Sequence, residues 1–252
     1  MSHERHLVVF SGAGLSADSG IATFRGARGL WEEHSIDEVC NFETWERNRE
    51  LVHRFYNARR VALAGVAPNP MHRLLADWQR RFRTTLITQN IDDLLERAGA
   101  MEVLHVHGVL TEMRCLDCGS VWDIGATAWD PARDRCPDCG SGERVKPNVV
   151  FFNEPAPLYG PMSEAFGALG PDDVLVVIGT DGAVVPIGAM AERLRCHKVL
   201  NNLEPVEPEH FVPGMVHPRQ FDRVLYRPAA KATGELDEIV TAWMAAWSGS
   251  GL

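Results

Sequence analysis

The fold of this chain is decided by the stretch Leu7-Val8-Val9-Phe10-Ser11-Gly12-Ala13-Gly14-Leu15-Ser16-Ala17. Its four leading apolar residues predict a short buried strand that runs directly into a glycine-rich turn. The spacing Gly12-x-Gly14-x-x-Ala17 is the Gly/Ala form of the dinucleotide fingerprint, in which a tight turn lets the backbone approach a pyrophosphate. Because this pattern is a weak signal by itself, its interpretation depends on the rest of the chain.

Three later segments also place small or polar residues directly after an apolar strand pattern. They are Leu86-Ile87 followed by Thr88-Gln89-Asn90-Ile91-Asp92, residues 174–178 followed by Gly179-Thr180-Asp181-Gly182, and residues 198–200 followed by Asn201-Asn202-Leu203-Glu204. In open α/β sheets, ligands bind outside the carboxyl ends of the strands. We therefore predict an α/β fold with a Rossmann-like parallel sheet whose strand ends form a nucleotide site.

Residues 103–107 alternate in the manner of one more short strand, with His107 at its end. A histidine beside the two amides and the carboxylate of residues 89–92 can act as a general base near neutral pH. The alternative is a satisfied loop of polar turn-forming residues with a structural histidine. The other motifs of the chain decide between the two interpretations.

Helical spacing of apolar residues dominates the segments between the strands. The predicted elements are a helical module at 30–65 containing a helix at 50–63, helices at 71–82 and 233–247, a strand at 146–152 and a last strand at 222–226. An exposed edge at residues 146–152 could pair with an extended peptide by strand addition. The alternative there is an ordinary buried strand.

Two close cysteine pairs, Cys115-x-x-Cys118 and Cys136-x-x-Cys139, give the strongest local signal. Their separation falls within the roughly 15–20 residues typical of four-cysteine zinc sites. Four thiolates fill a tetrahedral ion, so this zinc would hold the fold and take no part in chemistry. Redox-active cysteine pairs are the alternative. A nucleic-acid-binding ribbon is disfavoured because acidic residues outnumber basic ones between Thr111 and Lys146.

The composition and net charge argue against several classes of protein. The 252 residues are 45% hydrophobic and 23% charged, as in a soluble globular enzyme, and the formal net charge is -9. That charge disfavours nucleic acid or an anionic membrane as a partner, since both require a basic surface. Neither a membrane-spanning apolar run nor a signal peptide is expected, so we predict a cytoplasmic protein.

The motifs taken together resemble the sirtuins, NAD-dependent protein-lysine deacylases, over a match that runs in order from about Leu7 to Tyr226. The matching segments are Gly12-Ala-Gly-Leu-Ser16, Ser19-Gly-Ile21, Phe24-Arg25, residues 88–92, His107-Gly108, the paired cysteines, Lys146-Pro147-x-Val149-Val150-Phe151-Phe152, Gly179-Thr180 and Asn202-x-Glu204-Pro205. The likeness is greatest to bacterial sirtuins with a broad acyl range. It implies that NAD and an acyl-lysine share the cleft between a large and a small domain.

The resemblance also implies a division of the chain. Residues 1–29, 67–110 and 147–252 would form the Rossmann-like NAD-binding domain. Residues 30–66 would form the helical module and residues 111–146 the zinc-ribbon module of an inserted small domain. One structural Zn²⁺ would be held by Cys115, Cys118, Cys136 and Cys139. The oligomeric state stays open, and a monomer is compatible with the sequence.

Site roles carry over from the sirtuins position by position. His107 would be the general base, with Asn90 and Asp92 holding the nicotinamide ribose and carboxamide. The implied NAD-binding set is Gly12, Ala13, Gly14, Ser16, Ala22, Phe24, Arg25, Gln89, Asn90, Asp92, Gly179, Thr180, Asp181, Asn202 and Glu204. The implied substrate-binding set is Tyr56, Arg59, Val150, Phe151, Phe152 and Glu154.

The activity so implied releases free lysine, nicotinamide and O-acyl-ADP-ribose from an acylated protein or peptide and NAD. The alternatives are mono-ADP-ribosyl transfer or NAD glycohydrolysis at the same site, a hydride-transferring dehydrogenase, and a non-enzymatic NAD sensor or zinc-ribbon binding module. The intact set of His107, Asn90 and Asp92 argues against a non-enzymatic role.

Tyr56 and Arg59 bear on the choice of acyl group. They lie three residues apart on a predicted helix and therefore share a face. The pair resembles the Tyr-x-x-Arg of sirtuins that accept succinyl, malonyl or glutaryl lysine, where a guanidinium can bind an acyl carboxylate bidentately. The alternative is a solvated arginine on an amphipathic helix.

Three residues depart from the sirtuin pattern. Asp181 stands where serine is usual, and a carboxylate near nucleotide phosphates is repulsive unless it meets ribose hydroxyls. Asn153 stands where glycine is usual, and asparagine is the next most tolerant residue if the backbone there requires positive φ. Cys40 stands where the acidic-acyl enzymes tend to have alanine, and it is small enough to leave a pocket open.

Overall fold

The structure is a computed structural model that describes residues 4–22, 30–31 and 34–245. Its strands are β1 His6–Ser11, β2 Leu30–Trp31, β3 His34–Ser35, β4 Arg83–Thr88, β5 Val103–His105, β6 Gly108–Cys115, β7 Val121–Asp123, β8 Val145–Val149, β9 Val174–Ile178, β10 His197–Asn202 and β11 Arg223–Tyr226. Its α-helices are α1 Gly14–Ala17, α2 Ile36–Val39, α3 Arg49–Ala64, α4 Pro70–Arg81, α5 Leu94–Arg97, α6 Tyr159–Gly167, α7 Ile187–Arg193 and α8 Ala229–Ala245.

A six-stranded sheet in the order β11-β10-β9-β1-β4-β5 forms the centre of the fold. Every pairing in it is parallel, so the carboxyl ends of all six strands lie along one edge. The direction of chain travel reverses at β1, which lies between β4 and β9. The all-parallel sheet confirms the predicted fold class. In such sheets, ligands bind at this switch point.

The sheet is covered on both faces, as a parallel sheet requires. Leu7 and Val9 of β1 pack in one buried cluster with residues of α4 and α8. Val8 and Phe10, on the opposite face, pack with residues of α6 and α7. All six residues of β1 are buried, and full burial of each large apolar side chain contributes roughly 1.5–3 kcal/mol.

Two further apolar clusters lie outside the six-stranded sheet. One cluster joins α2 and α3 to Leu110, Val149 and Phe151. The three-stranded antiparallel sheet β7-β6-β8 supports a further cluster around Trp129 and the cysteines. Strands β6 and β8 run across the predicted module boundaries at 110/111 and 146/147, and the division into modules stays a prediction.

The predicted helices at 50–63 and 71–82 are confirmed as α3 and α4. The helical pattern predicted from residue 30 is wrong at its start, because Leu30–Trp31 pairs antiparallel with His34–Ser35. The helical part begins with α2, a single turn capped by Ser35 and Glu38. Strand β5 ends at His105, so His107 lies in the turn that follows it. In the part of the chain with assigned structure, no helix is long and apolar enough to cross a membrane.

Candidate active site at the carboxyl ends of the parallel strands

The glycine-rich turn after β1 packs directly against the turn after β9. The Gly12 amide donates to Ile178 O at 2.9 Å, and the Gly14 amide donates to Gly179 O at 2.9 Å. A Cβ at Gly14 would lie 2.6 Å from Gly179 Cα, and Gly179 itself has φ +64°. These glycines therefore allow the closest possible contact between the two loops at the switch point. Helix α1, which follows, is only four residues long.

A chain of hydrogen bonds joins the ends of three strands. Gln89 Nε2 donates to Thr180 Oγ1 at 3.1 Å. The Thr180 amide donates to Asn202 Oδ1 at 3.0 Å, and Asn202 Nδ2 returns a bond to Thr180 O at 2.8 Å. The predicted nucleotide residues of the β4, β9 and β10 ends thus form one continuous polar surface.

Asn90, Asp92 and Ser16 meet beside that surface. Ser16 Oγ donates to Asp92 Oδ2 at 2.9 Å, and Asn90 Nδ2 donates to Ser16 Oγ at 3.1 Å. Burial raises the pKa of Asp92, and the Ser16 hydrogen bond opposes that effect by stabilising the carboxylate. The segment after β4 is therefore tied to the first turn of α1.

His107 lies next to this group with a defined tautomer. Its Nδ1 is 3.2 Å from Gln89 O, which can only accept, so Nδ1 carries the proton. Its Nε2 is 2.9 Å from the Tyr159 hydroxyl, which donates to the free lone pair. Burial lowers the pKa of His107, and the Gln89 contact opposes the shift without reversing it. The ring is therefore neutral at pH 7 and able to take a proton at Nε2.

His105, two residues earlier, has a pKa that shifts in the opposite direction. Both of its ring nitrogens face acceptors, since Nδ1 is 2.9 Å from Asn90 O and Nε2 is 2.9 Å from Glu96 Oε1. Burial opposes the charged form, but the Glu96 carboxylate raises the pKa of His105 above its ordinary value. This histidine fixes the backbone of Asn90 and is unsuited to act as a base.

The predicted substrate segment lies against His107. The Val150 amide donates to His107 O at 2.9 Å, and the Phe152 amide donates to Cys40 O at 2.9 Å. Glu154 Oε2 accepts from the Phe151 amide at 2.8 Å and from Lys146 Nζ at 3.0 Å. Lys146 and Glu154 form a buried ion pair, so this segment is held rigidly from within.

Phe152, whose side chain is 40% exposed, presents an apolar surface next to that segment. Strand β8, which leads into it, is at the edge of its sheet and pairs with β6 on one side. An extended peptide could therefore align with this region.

Tyr56 of α3 lies in the apolar cluster around Phe151, and Arg59 lies one turn further along the helix over Phe55. Tyr56 is fully buried, stacks on Phe151 with ring centroids 5.8 Å apart, and shares a hydrogen bond with the Cys40 thiol. Arg59 is half-buried, with its guanidinium carbon 3.2 Å from the centroid of the Phe55 ring. The acyl pocket predicted for this pair stays a prediction.

Two of the three residues that depart from the sirtuin pattern have clear local roles. Asn153 has φ 64°, so the backbone there does require the left-handed region, which asparagine tolerates better than most residues. Asp181 Oδ1 accepts from the Ala183 amide at 2.9 Å, and thereby closes the turn that follows Thr180. Its carboxylate stabilises the turn that a serine hydroxyl would close more weakly.

The four paired cysteines converge as the spacing predicted. Their sulfur atoms all lie within 4.8 Å of one another. The Cys115–Cys139 and Cys118–Cys136 sulfur pairs are each 3.6 Å apart, too far for a disulfide. A tetrahedron with ligands at 2.3 Å from its centre has edges of about 3.8 Å, so the cluster fits a zinc ion.

A sequence model described as the Sir2 family matches residues 12–186 of the chain. The chain belongs to the Sir2 family. A relative from Helicobacter hepaticus (strain ATCC 51449 / 3B1), named NAD-dependent protein deacylase, is 43% identical over 92% of this chain and 96% of its own length.

Solved structures agree with the sirtuin assignment. A Sir2 homologue in complex with ADP-ribose superposes with a TM-score of 0.80 at 29% identity, covering 98% of this chain and 96% of the other. A Sir2 homologue–NAD complex superposes with a TM-score of 0.79 at 30% identity, covering 96% of this chain and 91% of the other. The fold of this chain therefore has counterparts in Sir2 homologues with bound ADP-ribose or NAD.

Among the predicted NAD-binding residues, some are exposed and two lie outside the described residues. Phe24 and Arg25 lie outside the described residues. Ala22 and Glu204 are exposed, the latter just past the end of β10. Their assignment to NAD stays a prediction.

Sequence reasoning missed three residues of this sirtuin site. They are Tyr159, which bonds to His107, His72, which contacts Ser16, and Lys146 as the partner of Glu154. His72 follows Asn69-Pro70, a helix-start signal, but that signal indicates only a cap. Nothing in the sequence indicates that Tyr159 meets the base.

Proposed function

We propose that this sirtuin is an NAD-dependent protein-lysine deacylase. The observation that carries the proposal is the neutral His107 ring, whose Nδ1 donates to the carbonyl oxygen of Gln89, the residue before Asn90, and whose Nε2 is the basic atom. This arrangement supports base catalysis on a nucleotide sugar. The name of the 43% identical relative supports the same activity.

Different residues of the chain would hold NAD and transfer the proton. Gly12, Gly14, Thr180 and Asn202 would hold NAD, which supplies the ADP-ribose acceptor of the acyl group. Asn90 and Asp92 would fix the nicotinamide ribose. His107 would then draw a proton from a ribose hydroxyl at Nε2, with that hydroxyl taking the place of the Tyr159 hydroxyl, a contribution of about 10²–10⁴-fold.

The acylated lysine is proposed to enter along Val150–Phe152. The ion pair of Lys146 with Glu154 and the bond from the Phe151 amide hold that segment in a fixed conformation. A preformed segment lowers the ordering cost of binding an extended peptide. The substrates are therefore acylated proteins or peptides.

Mass spectrometry of acetyl-lysine and succinyl-lysine peptides, incubated with and without NAD, tests the function. We expect acyl loss only with NAD, in equal amount to the nicotinamide and O-acyl-ADP-ribose formed. Nicotinamide release with an unchanged peptide would indicate NAD glycohydrolysis, and a peptide gain of ADP-ribose would indicate ADP-ribosyl transfer. NADH formation would indicate a dehydrogenase, and binding of NAD without any product would indicate a sensor.

We also propose that the four-cysteine cluster holds one structural Zn²⁺. The sulfur–sulfur distances of 3.6 Å fit a tetrahedral site, and two of the four cysteines are buried in the core of the ribbon. Four protein ligands leave no open coordination position. The ion would therefore stabilise the ribbon and take no part in acyl transfer.

Arg59→Met is expected to reduce desuccinylation at least 10-fold more than deacetylation. A guanidinium that binds the acyl carboxylate through two hydrogen bonds contributes strongly to succinyl-lysine binding and nothing comparable to acetyl-lysine binding. The measurement is kcat/KM for matched succinyl and acetyl peptides. Arg54→Met is the control, because Arg54 lies on the same helix with its side chain 69% exposed. Equal losses with both peptides would remove Arg59 from acyl selection.

The pH profile of deacylation is expected to report the neutral state of His107. Because burial holds the pKa of this base below its ordinary value, kcat/KM should fall only as the pH drops below about 6.5. The Tyr159 hydroxyl donates to Nε2 and so favours the neutral ring. Tyr159→Phe should therefore move the acid midpoint upward, by about half a unit to one unit. Tyr226→Phe, which removes a different phenol, should leave it in place. An unmoved or lowered midpoint in Tyr159→Phe would contradict the expectation.

A further inference from the structure

His72 is a buried histidine of α4 that touches neither the proposed base nor the substrate segment. We propose that His72 is a positioning residue, which sets the orientation of the Asn90 side-chain amide through the Ser16 hydroxyl. The inference deepens the proposed function and rests on it.

The tautomer of His72 is fixed by the start of its own helix. The backbone N–H of Asn69 lies 3.2 Å from His72 Nδ1, as part of the capping box of α4. A backbone N–H can only donate, so Nδ1 must be the acceptor and carries no proton. His72 has no exposed surface, and burial lowers its pKa to about 4. The ring is therefore neutral, and its single proton is on Nε2.

The Nε2 proton of His72 determines the direction in which the Ser16 hydroxyl donates its hydrogen bond. His72 Nε2 lies 3.3 Å from Ser16 Oγ, so the ring donates to the hydroxyl oxygen. The oxygen has two lone pairs and one hydrogen. With the ring on one lone pair, the hydrogen is directed to Asp92 Oδ2 at 2.9 Å. Asp92 is a carboxylate and can only accept, so no other direction satisfies both neighbours.

One lone pair of Ser16 Oγ then remains, and Asn90 lies 3.1 Å from it. Asn90 can meet a lone pair only with its amide nitrogen, Nδ2. The carbonyl oxygen, Oδ1, is thereby left as the polar atom that Asn90 offers elsewhere. The network of His72, Ser16, Asp92 and Asn90 thus has a single arrangement of protons. The backbone N–H of Asn69 sets that arrangement, because it fixes the tautomer of His72.

The orientation matters because Asn90 is half-buried at the proposed nicotinamide ribose. A carbonyl oxygen fixed there can accept from a ribose hydroxyl and can stabilise positive charge that develops on the sugar during bond cleavage. A freely rotating amide would present a donor half of the time and would lose this preorganisation. His72 therefore acts on the chemical step and not on the binding of the peptide.

Three variants separate this role from a structural one. His72→Leu removes the ring donor. His72→Gln keeps both functions, because its amide oxygen can accept from the Asn69 N–H while its amide nitrogen donates to Ser16. Ala76→Gly is the stability control, since Ala76 is buried on the same helix and glycine there lowers Tm by about 2–4 °C without touching the network.

The measurements are kcat and the KM values for NAD and for an acyl-lysine peptide, together with Tm. We expect His72→Leu to lower kcat about 10–100-fold with the peptide KM within about twofold of the original. His72→Gln should recover kcat to within about fivefold, and Ala76→Gly should lower Tm alone. Because His72 acts through Ser16, His72→Leu should cost no further kcat in a Ser16→Ala background.

The proposal is overturned if His72→Leu keeps its kcat, if glutamine rescues no better than leucine, or if Ala76→Gly loses kcat in proportion to its Tm. Independent, additive losses in the Ser16→Ala background would also overturn it. The unsubstituted enzyme is assayed in the same series. If it shows no NAD-dependent deacylation, the proposed function fails, and that result is distinct from any outcome of the variants.

Discussion

Replacement of His107 by alanine is expected to remove nearly all deacylase turnover while NAD still binds. The ring is neutral, its Nδ1 proton is held by Gln89 O, and its Nε2 is the basic atom. Losing a positioned general base costs about 10²–10⁴-fold in kcat. The glycine turn, the bond from the Gln89 side chain to Thr180 and the bond from the Thr180 amide to Asn202 do not involve His107, so the nucleotide site keeps its shape.

The measurement pairs single-turnover deacylation with NAD binding by calorimetry. His210→Ala is the control, because His210 is an exposed histidine of a 3₁₀ turn at Pro208–His210. It should change neither quantity. Near-normal turnover in His107→Ala would remove the base assignment, and loss of NAD binding would show that the ring has a structural role in the nucleotide site.

The parallel sheet and the location of its site follow from local sequence. An apolar run with small or polar residues directly after it marks β1, β4 and β9, and strands of this kind have few alternatives to burial in a parallel sheet. Once those strands are side by side, their carboxyl ends must share one edge. The meeting of Gly12, Gln89, Thr180 and Asn202 was therefore predictable, although 190 positions of chain numbering separate the first from the last.

Contacts between side chains on different elements were not predictable in the same way. Tyr159 meets His107 across 52 positions, and His72 meets Ser16 across 56. Both contacts depend on how α4 and α6 pack on the sheet, which no local pattern records. The helical pattern predicted from residue 30 fails for a related reason, since the antiparallel pairing of Leu30–Trp31 with His34–Ser35 overrides it there.

The cysteine cluster is coupled to the proposed acyl site through α3. Asn57 of that helix donates to Trp129 O at 2.8 Å and accepts from the Trp129 amide at 2.9 Å. The buried Arg60 donates from Nε to Leu110 O at 2.7 Å. The same helix carries Tyr56 and Arg59. The ribbon therefore supports the helix face from which acyl selection is proposed to come.

Cys136→Ser is expected to abolish zinc binding and unfold the ribbon without unfolding the parallel sheet. Structural zinc contributes on the order of 10 kcal/mol in small zinc domains, comparable with the whole stability of a typical domain. Cys136 is 2% exposed and packs with Trp129, so its loss removes both a metal ligand and part of the ribbon core. The sheet keeps its own two clusters around β1. We expect zinc content to fall from about one ion per chain to near zero, and trypsin to cut rapidly after Arg133 and Arg135.

The effect on catalysis should follow the connection through Asn57. Succinyl and acetyl turnover should both fall, because α3 loses its support from Trp129, while NAD affinity stays within about threefold. Cys196→Ser is the control: Cys196 is a buried thiol outside the cluster, so its replacement should leave zinc content and tryptic resistance unchanged. Retained zinc in Cys136→Ser would contradict the four-cysteine site. Loss of NAD binding together with zinc would show that the ribbon and the sheet fold as one cooperative unit, because only then does removing a ligand in one core disrupt the other.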